Sequence, residues 1–139
     1  MELGARAGQA LAALALGQRS FAEDAMRWIR ANVETRPEWW FQGRDLVDAL
    51  RIRLAAERGD EAHAIRLLDE AVELAERFNP YVAAYLVLEC APSLRQHSND
   101  TLCSIIDRVT PATYRLGFTV VAQRLTALRA DLPGSNAAA

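Results

Sequence analysis

The stretch Gly59-Asp60-Glu61-Ala62-His63-Ala64-Ile65-Arg66-Leu67-Leu68-Asp69-Glu70-Ala71-Val72-Glu73-Leu74 decides the fold class. Its apolar positions recur every three or four residues, and Ala75 and Phe78 extend the face formed by Ala64, Leu68 and Ala71. That spacing puts one apolar stripe on one side of a helix. Gly59 stands where a left-handed C-terminal cap closes the preceding helix. Asn79-Pro80 supplies the next start, because asparagine caps a helix and proline tolerates its first position.

The same marks recur along the chain. Ser20 and Glu23 have the spacing of a capping box. Pro37 and Pro111 sit where first helical residues belong, with Thr110 as a cap before the second. Gly17 closes an apolar run, and Ser98-Asn99-Asp100 opens a helix ahead of Leu102. The periodicity is helical throughout, without sustained strand-like alternation. It predicts seven helices, at 3–16, 20–34, 37–58, 60–78, 80–96, 99–109 and 111–131. The third buries Trp40, Gly43, Val47, Leu50 and Leu54; the last buries Tyr114, Phe118, Val121, Leu125 and Leu128. The fifth is apolar nearly all round from Tyr81 to Ala91 and should lie between other helices, with Pro92 kinking or ending it. Short connections make successive helices antiparallel neighbours.

Composition bounds the function. The 139 residues are 51% apolar and carry a net charge of −2, which suits one folded domain and excludes intrinsic disorder. Near-neutral charge argues against direct nucleic-acid binding. Two cysteines, Cys90 and Cys103, make neither a disulfide framework nor a zinc cage. All 16 basic residues are arginine, as a GC-rich bacterial genome produces, and they are spread rather than clustered. The run Ala10–Leu16 is too short to span a membrane, and Glu2 offsets Arg6 ahead of it. It reads as a helix in a cytoplasmic protein. Residues 133–139 read as a disordered tail or a cloning remnant after one domain over 1–132.

Ala25, Ala64 and Cys103 are spaced 39 residues apart, each a small residue with a large aliphatic one a turn later. Periods of this size mark helix-pair repeats. Gly59, Ala64, Leu68 and Ala71, with Asn79-Pro80 as a closing turn, resemble the second half of a tetratricopeptide (TPR-like) repeat. The period is longer than that family's usual value of about 34. The stretch Ala71–Glu89 resembles the divergent long repeats of large bacterial transcriptional activators. The resemblance implies an all-α, right-handed solenoid of three TPR-like pairs plus a terminal helix. It implies a scaffold for partners, with no activity of its own.

The candidate site residues follow from that frame. Trp39-Trp40-Phe41 cannot all face one core, since successive helical positions diverge by about 100°. Trp39 or Phe41 is then an interface anchor, or both tuck under the preceding helix. Tyr81, Tyr85 and Glu89 form a line on the fifth helix, facing either a bound peptide or the core. Glu89 either faces a solvated groove or meets Arg51 or Arg53. Arg44, Asp45, Asp48 and Arg51 alternate in sign, either as a solvated face or as groove residues. Trp39, Arg44, Asp48, Tyr81, Tyr85 and Glu89 are the expected partner-binding set. His63 and His97 lack companions at metal-ligand spacing, and no nucleophile or phosphate-loop motif occurs. The expectation is a non-catalytic protein–protein interaction module without cofactor or metal, able to form a homodimer through apolar end faces. The alternative is a small-molecule-sensing segment of a larger bacterial regulator.

Overall fold

The computed structural model describes residues 2–35, 43–94 and 100–132. Among these are seven α-helices and no strand: α1 (Glu2–Ala15), α2 (Arg19–Thr35), α3 (Arg44–Glu57), α4 (Glu61–Phe78), α5 (Pro80–Cys90), α6 (Asp100–Arg115) and α7 (Thr119–Asp131). A short 3₁₀ turn, Ala91–Ser93, follows α5, so Pro92 ends that helix as its ring chemistry requires.

One turn is used three times. Gly17, Gly59 and Gly117 stand at φ 78°, 81° and 81°, the left-handed conformation that glycine adopts without a Cβ clash. After each glycine, the next amide donates back to a carbonyl five residues earlier. These bonds are Gln18 N to Ala13 O at 2.8 Å, Asp60 N to Ala55 O at 3.1 Å and Phe118 N to Thr113 O at 3.1 Å. Carbonyls orphaned at the helix end are thereby satisfied. Five residues beyond each glycine lies a fully buried alanine, Ala22, Ala64 or Ala122. Four before it lies another small buried residue, Ala13, Ala55 or Thr113. Small side chains on both sides of the turn let α1 and α2, α3 and α4, and α6 and α7 approach closely.

This recurrence differs in register from the 39-residue spacing. Ala25 and Cys103 are only partly buried, whereas Ala64 is fully buried. Several helix boundaries also differ from the expected ones. Helix α6 runs through Pro111 and ends at Arg115, ahead of the turn at Gly117, so Pro111 is an interior residue and Thr110 is no cap. The Thr110 hydroxyl instead donates to the Ile106 carbonyl at 2.7 Å. Tyr114 and Phe118 consequently fall outside α7, on the exposed side of the turn. Helix α3 begins at Arg44, because Gly43, at φ 72°, stands in the left-handed region and cannot continue a helix from Pro37. Ser20 lies inside α2, and Glu23 is drawn to Arg19 at 3.1 Å and to Arg58 at 3.5 Å rather than closing a capping box. The Asn79 cap is present: its side chain accepts from the Tyr81 amide at 3.0 Å, with Pro80 at the first position.

Each helix packs on the next. In addition α1 meets α3, α3 meets α5 and α5 meets α7. Helix α5 touches four others, α3, α4, α6 and α7, which is why its sequence is apolar on every side. The core runs through Ile29, Leu50, Leu54, Leu68, Leu86, Val87, Leu102, Ile105 and Leu125. No helix among the described residues is long and apolar enough to cross a membrane.

Candidate functional site

Helix α4 carries two apolar stripes side by side. Ala64, Ile65, Leu68 and Val72 are buried against the core. One step around the helix, Leu67, Ala71, Leu74, Ala75 and Phe78 continue at the same spacing but remain partly or largely exposed. That second stripe has no helix laid over it among the described residues. It forms the floor of a groove bounded by the start of α3 and the start of α5.

The groove has a volume of about 410 Å³ and is lined by Ala71, Leu74, Ala75, Phe78, Asn79 and Val82, with Arg44 and Asp45 on its rim. A smaller, polar cleft of about 80 Å³ adjoins it and shares Arg44 and Ala71. Arg44, Asp48, Arg51 and Glu70 supply its charges, and Ile52 and Leu67 its apolar walls. Asp48 is 9% exposed and lies 3.5 Å from the Arg44 Nε. Burial lifts its carboxyl above the ordinary carboxylate range, against the opposing pull of Arg44 and Arg51.

The expected site residues do not form one surface. Arg44 and Asp48 stand together at the junction of the two clefts. Glu89 is paired with Arg53 of α3 at 2.8 Å, so this lone charge on an apolar helix is satisfied by an arginine. Tyr85 is half-buried beside that pair, and its hydroxyl is pushed up to about 12 by burial and then by the Glu89 charge. Tyr81 points to the far side of α5, where its ring meets Phe118 edge-on with centroids 5.2 Å apart. Trp39, with Trp40 and Phe41, lies outside the described residues.

Spacing alone places Ala71, Ala75 and Phe78 on the buried face of α4, whereas the structure leaves Ala71 and Ala75 partly exposed and Phe78 exposed. Leu67 and Leu74 beside them signal a helix with two apolar faces, one more than the core uses. Another surface feature lies on α1 and α2, where the Arg6 guanidinium stacks 3.8 Å from the centre of the Trp28 ring.

The remaining chemistry-bearing groups are dispersed. His63 is exposed, with its backbone amide bound to the Asp60 carboxylate that caps α4. Cys90 and Cys103 are both free; the Cys90 thiol is buried, approaches the Ala49 carbonyl at 3.9 Å, and is pushed well above its ordinary range by desolvation. Among the described residues no three His, Cys, Asp or Glu side chains gather as metal ligands would. What the α3–α4–α5 groove can do chemically is hold an apolar group against its floor and orient it through the charges on its rim. Set against family models, curated proteins and solved structures, the chain matches none of them.

Proposed function

We propose that the chain is a non-catalytic interaction module that holds a partner helix or extended peptide in the groove over the exposed stripe of α4. The observation that carries this reading is the second apolar stripe, Leu74, Ala75 and Phe78, lying open beside Val82 with Arg44 and Asp45 on the rim. An amphipathic helix presents its anchors at the same three-and-four spacing and fits such a groove ridge to stripe. The thrice-used glycine turn and the succession α1–α3–α5–α7 support a short TPR-like, right-handed solenoid of antiparallel helix pairs as the scaffold.

A library of displayed helical peptides, panned on the wild-type chain, tests it. Selected peptides should lose affinity by about tenfold or more in Leu74→Glu and in Ala75→Glu. They should bind Phe21→Glu, altered on α2, as they bind the wild type. Peptides that ignore both groove substitutions, or a library that yields no binder, would overturn the reading.

The volume of the groove also supports the alternative of a small-molecule sensor, since about 410 Å³ falls in the usual range for small ligands. That alternative expects an apolar compound to raise the melting temperature of the wild type and to leave that of Ala75→Glu unchanged.

A further inference from the structure

The apolar groove and the polar cleft that adjoins it are lined by five charged residues, Arg44, Asp45, Asp48, Arg51 and Glu70. Both arginines act on the one buried acid among them. Arg44 lies 3.5 Å from the Asp48 carboxylate, and the Arg51 charge also pulls on that carboxyl. Asp45 and Glu70 differ: neither forms an ion pair among the described residues.

The neighbouring acids of α4 are neutralised from within the chain. Asp69 and Glu76 meet Arg108 at 3.1 and 3.4 Å, and Glu73 meets Arg77 at 3.3 Å. Glu70 sits in the middle of this run, yet neither Arg66, one turn before it, nor any other described arginine bridges it. It is also the acid of the run that lines the cleft. Asp45 stands on the α3 side, at the rim of the apolar groove. The exposed stripe of α4 is thus bordered by three acids against two arginines, and the two acids without an ion pair belong to different helices.

We infer that the groove takes a basic amphipathic helix, with apolar anchors on Leu74, Ala75 and Phe78 and flanking lysines or arginines that meet Asp45 and Glu70. The inference rests on the groove reading and adds to it the charge of the partner. Opposite potentials across an interface speed encounter and suppress wrong partners. A helix with acids beside its anchors would bring like charge against Asp45 and Glu70, while the arginines are already drawn to Asp48. Asp45 also stands in the first turn of α3, where a carboxylate suits the helix dipole whatever the groove holds. Glu70, in the middle of α4, has no such use and is the stricter probe.

The test pans the displayed helical peptides in parallel on the wild-type chain and on the double variant Asp45→Asn/Glu70→Gln. Binders selected on the wild type should carry more Lys and Arg than Asp and Glu beside their apolar face. Those selected on the double variant should show no such bias. For a wild-type binder, fluorescence anisotropy should find affinity weakened about two- to fivefold by Glu70→Gln alone, the range of an exposed ion pair. Replacing the basic residues of that peptide with glutamine should abolish the difference and flatten the response to salt between about 50 and about 500 mM. Asp24→Asn, on the exposed face of α2, should leave affinity unchanged. Peptides that lose affinity in Leu74→Glu but bind Glu70→Gln as they bind the wild type overturn the inference and leave the groove reading standing. Wild-type binders rich in Asp and Glu do the same. A library that yields no binder overturns both together.

Discussion

The backbones of Gly4 and Gly43 meet at the contact between α1 and α3. A Cβ built on Gly43 would stand 2.6 Å from the Gly4 Cα and 3.0 Å from its nitrogen. Neither atom belongs to a side chain that could turn away. Gly43 also holds φ at 72°, so an alanine there meets backbone strain as well as collision. The two effects together should lower stability by about 2–4 kcal/mol in Gly43→Ala. From the other side the space is ordinary: a Cβ on Gly4 would lie 3.5 Å from the Gly43 Cα. Gly4→Ala should be neutral, or stabilising by up to about 1 kcal/mol through helix propensity. Urea unfolding of both variants checks the asymmetry, and equal losses would contradict it.

Pro111 interrupts α6 without ending it. Its ring nitrogen cannot donate to the carbonyl four residues earlier, and its side chain is exposed. On either side the Thr110 and Thr113 hydroxyls donate to the Ile106 and Val109 carbonyls at 2.7 and 2.8 Å, neither of which is the Asp107 carbonyl that the proline cannot serve. Pro111→Ala restores a backbone donor but loosens the unfolded chain, which offsets part of the gain. A net stabilisation of about 1–2 kcal/mol is expected, read as a higher urea midpoint at unchanged slope. A lower midpoint would mean that the proline ring packs where alanine cannot.

Pro111 also marks where sequence reasoning failed. The proline and the preceding threonine carry the signs of a helix start, yet the stronger signal six residues later is Gly117. Glycine can reverse the chain at no steric cost, whereas a proline inside a helix removes one backbone bond and can be tolerated where the rest of the helix is packed. The Gly17 and Gly59 turns were legible because nothing competed with them. The α5 hub was legible too, since only a helix touched on all sides is apolar on all sides. Sequence spacing anticipated an arginine partner for Glu89 without choosing between Arg51 and Arg53; the choice depends on how α5 rotates against α3, a tertiary fact. The groove was not legible, because a helix with two apolar stripes reads as one with a broad buried face.

The Arg53–Glu89 pair is coupled across α3 and α5 in a half-buried setting, with side chains 17% and 30% exposed. The Arg53 Nε is buried and makes no hydrogen bond among the described residues, so Glu89 carries the compensation of that guanidinium. Glu89→Leu alone leaves a partly desolvated cation and should cost about 1–3 kcal/mol. Adding Arg53→Met removes the stranded charge and should recover at least about half of the loss. A thermal-denaturation double-mutant cycle measures the coupling. Purely additive losses would show the contact to be incidental, as exposed ion pairs are.

Asp48 sets a pH dependence of opposite sign to that of a paired surface carboxylate. Its carboxyl is raised above the ordinary 3.8 by burial, more than Arg44 and Arg51 lower it. The folded chain therefore binds this proton more readily than the unfolded chain does. Stability from that difference is present in acid and is lost as pH rises from about the ordinary carboxylate value through the raised native one. Asp48→Asn keeps the shape and removes the buried charge. Its melting temperature should match the wild type in acid and exceed it increasingly as pH rises through that window, reaching a constant advantage near neutrality. Glu23, held below its usual range first by Arg19 and further by Arg58, supplies the internal contrast. Glu23→Gln should lose stability relative to the wild type at neutral pH and recover parity in acid. If Asp48→Asn instead melted below the wild type at neutral pH, the Arg44 contact at 3.5 Å would outweigh desolvation, and the polar cleft would be held together by its charges.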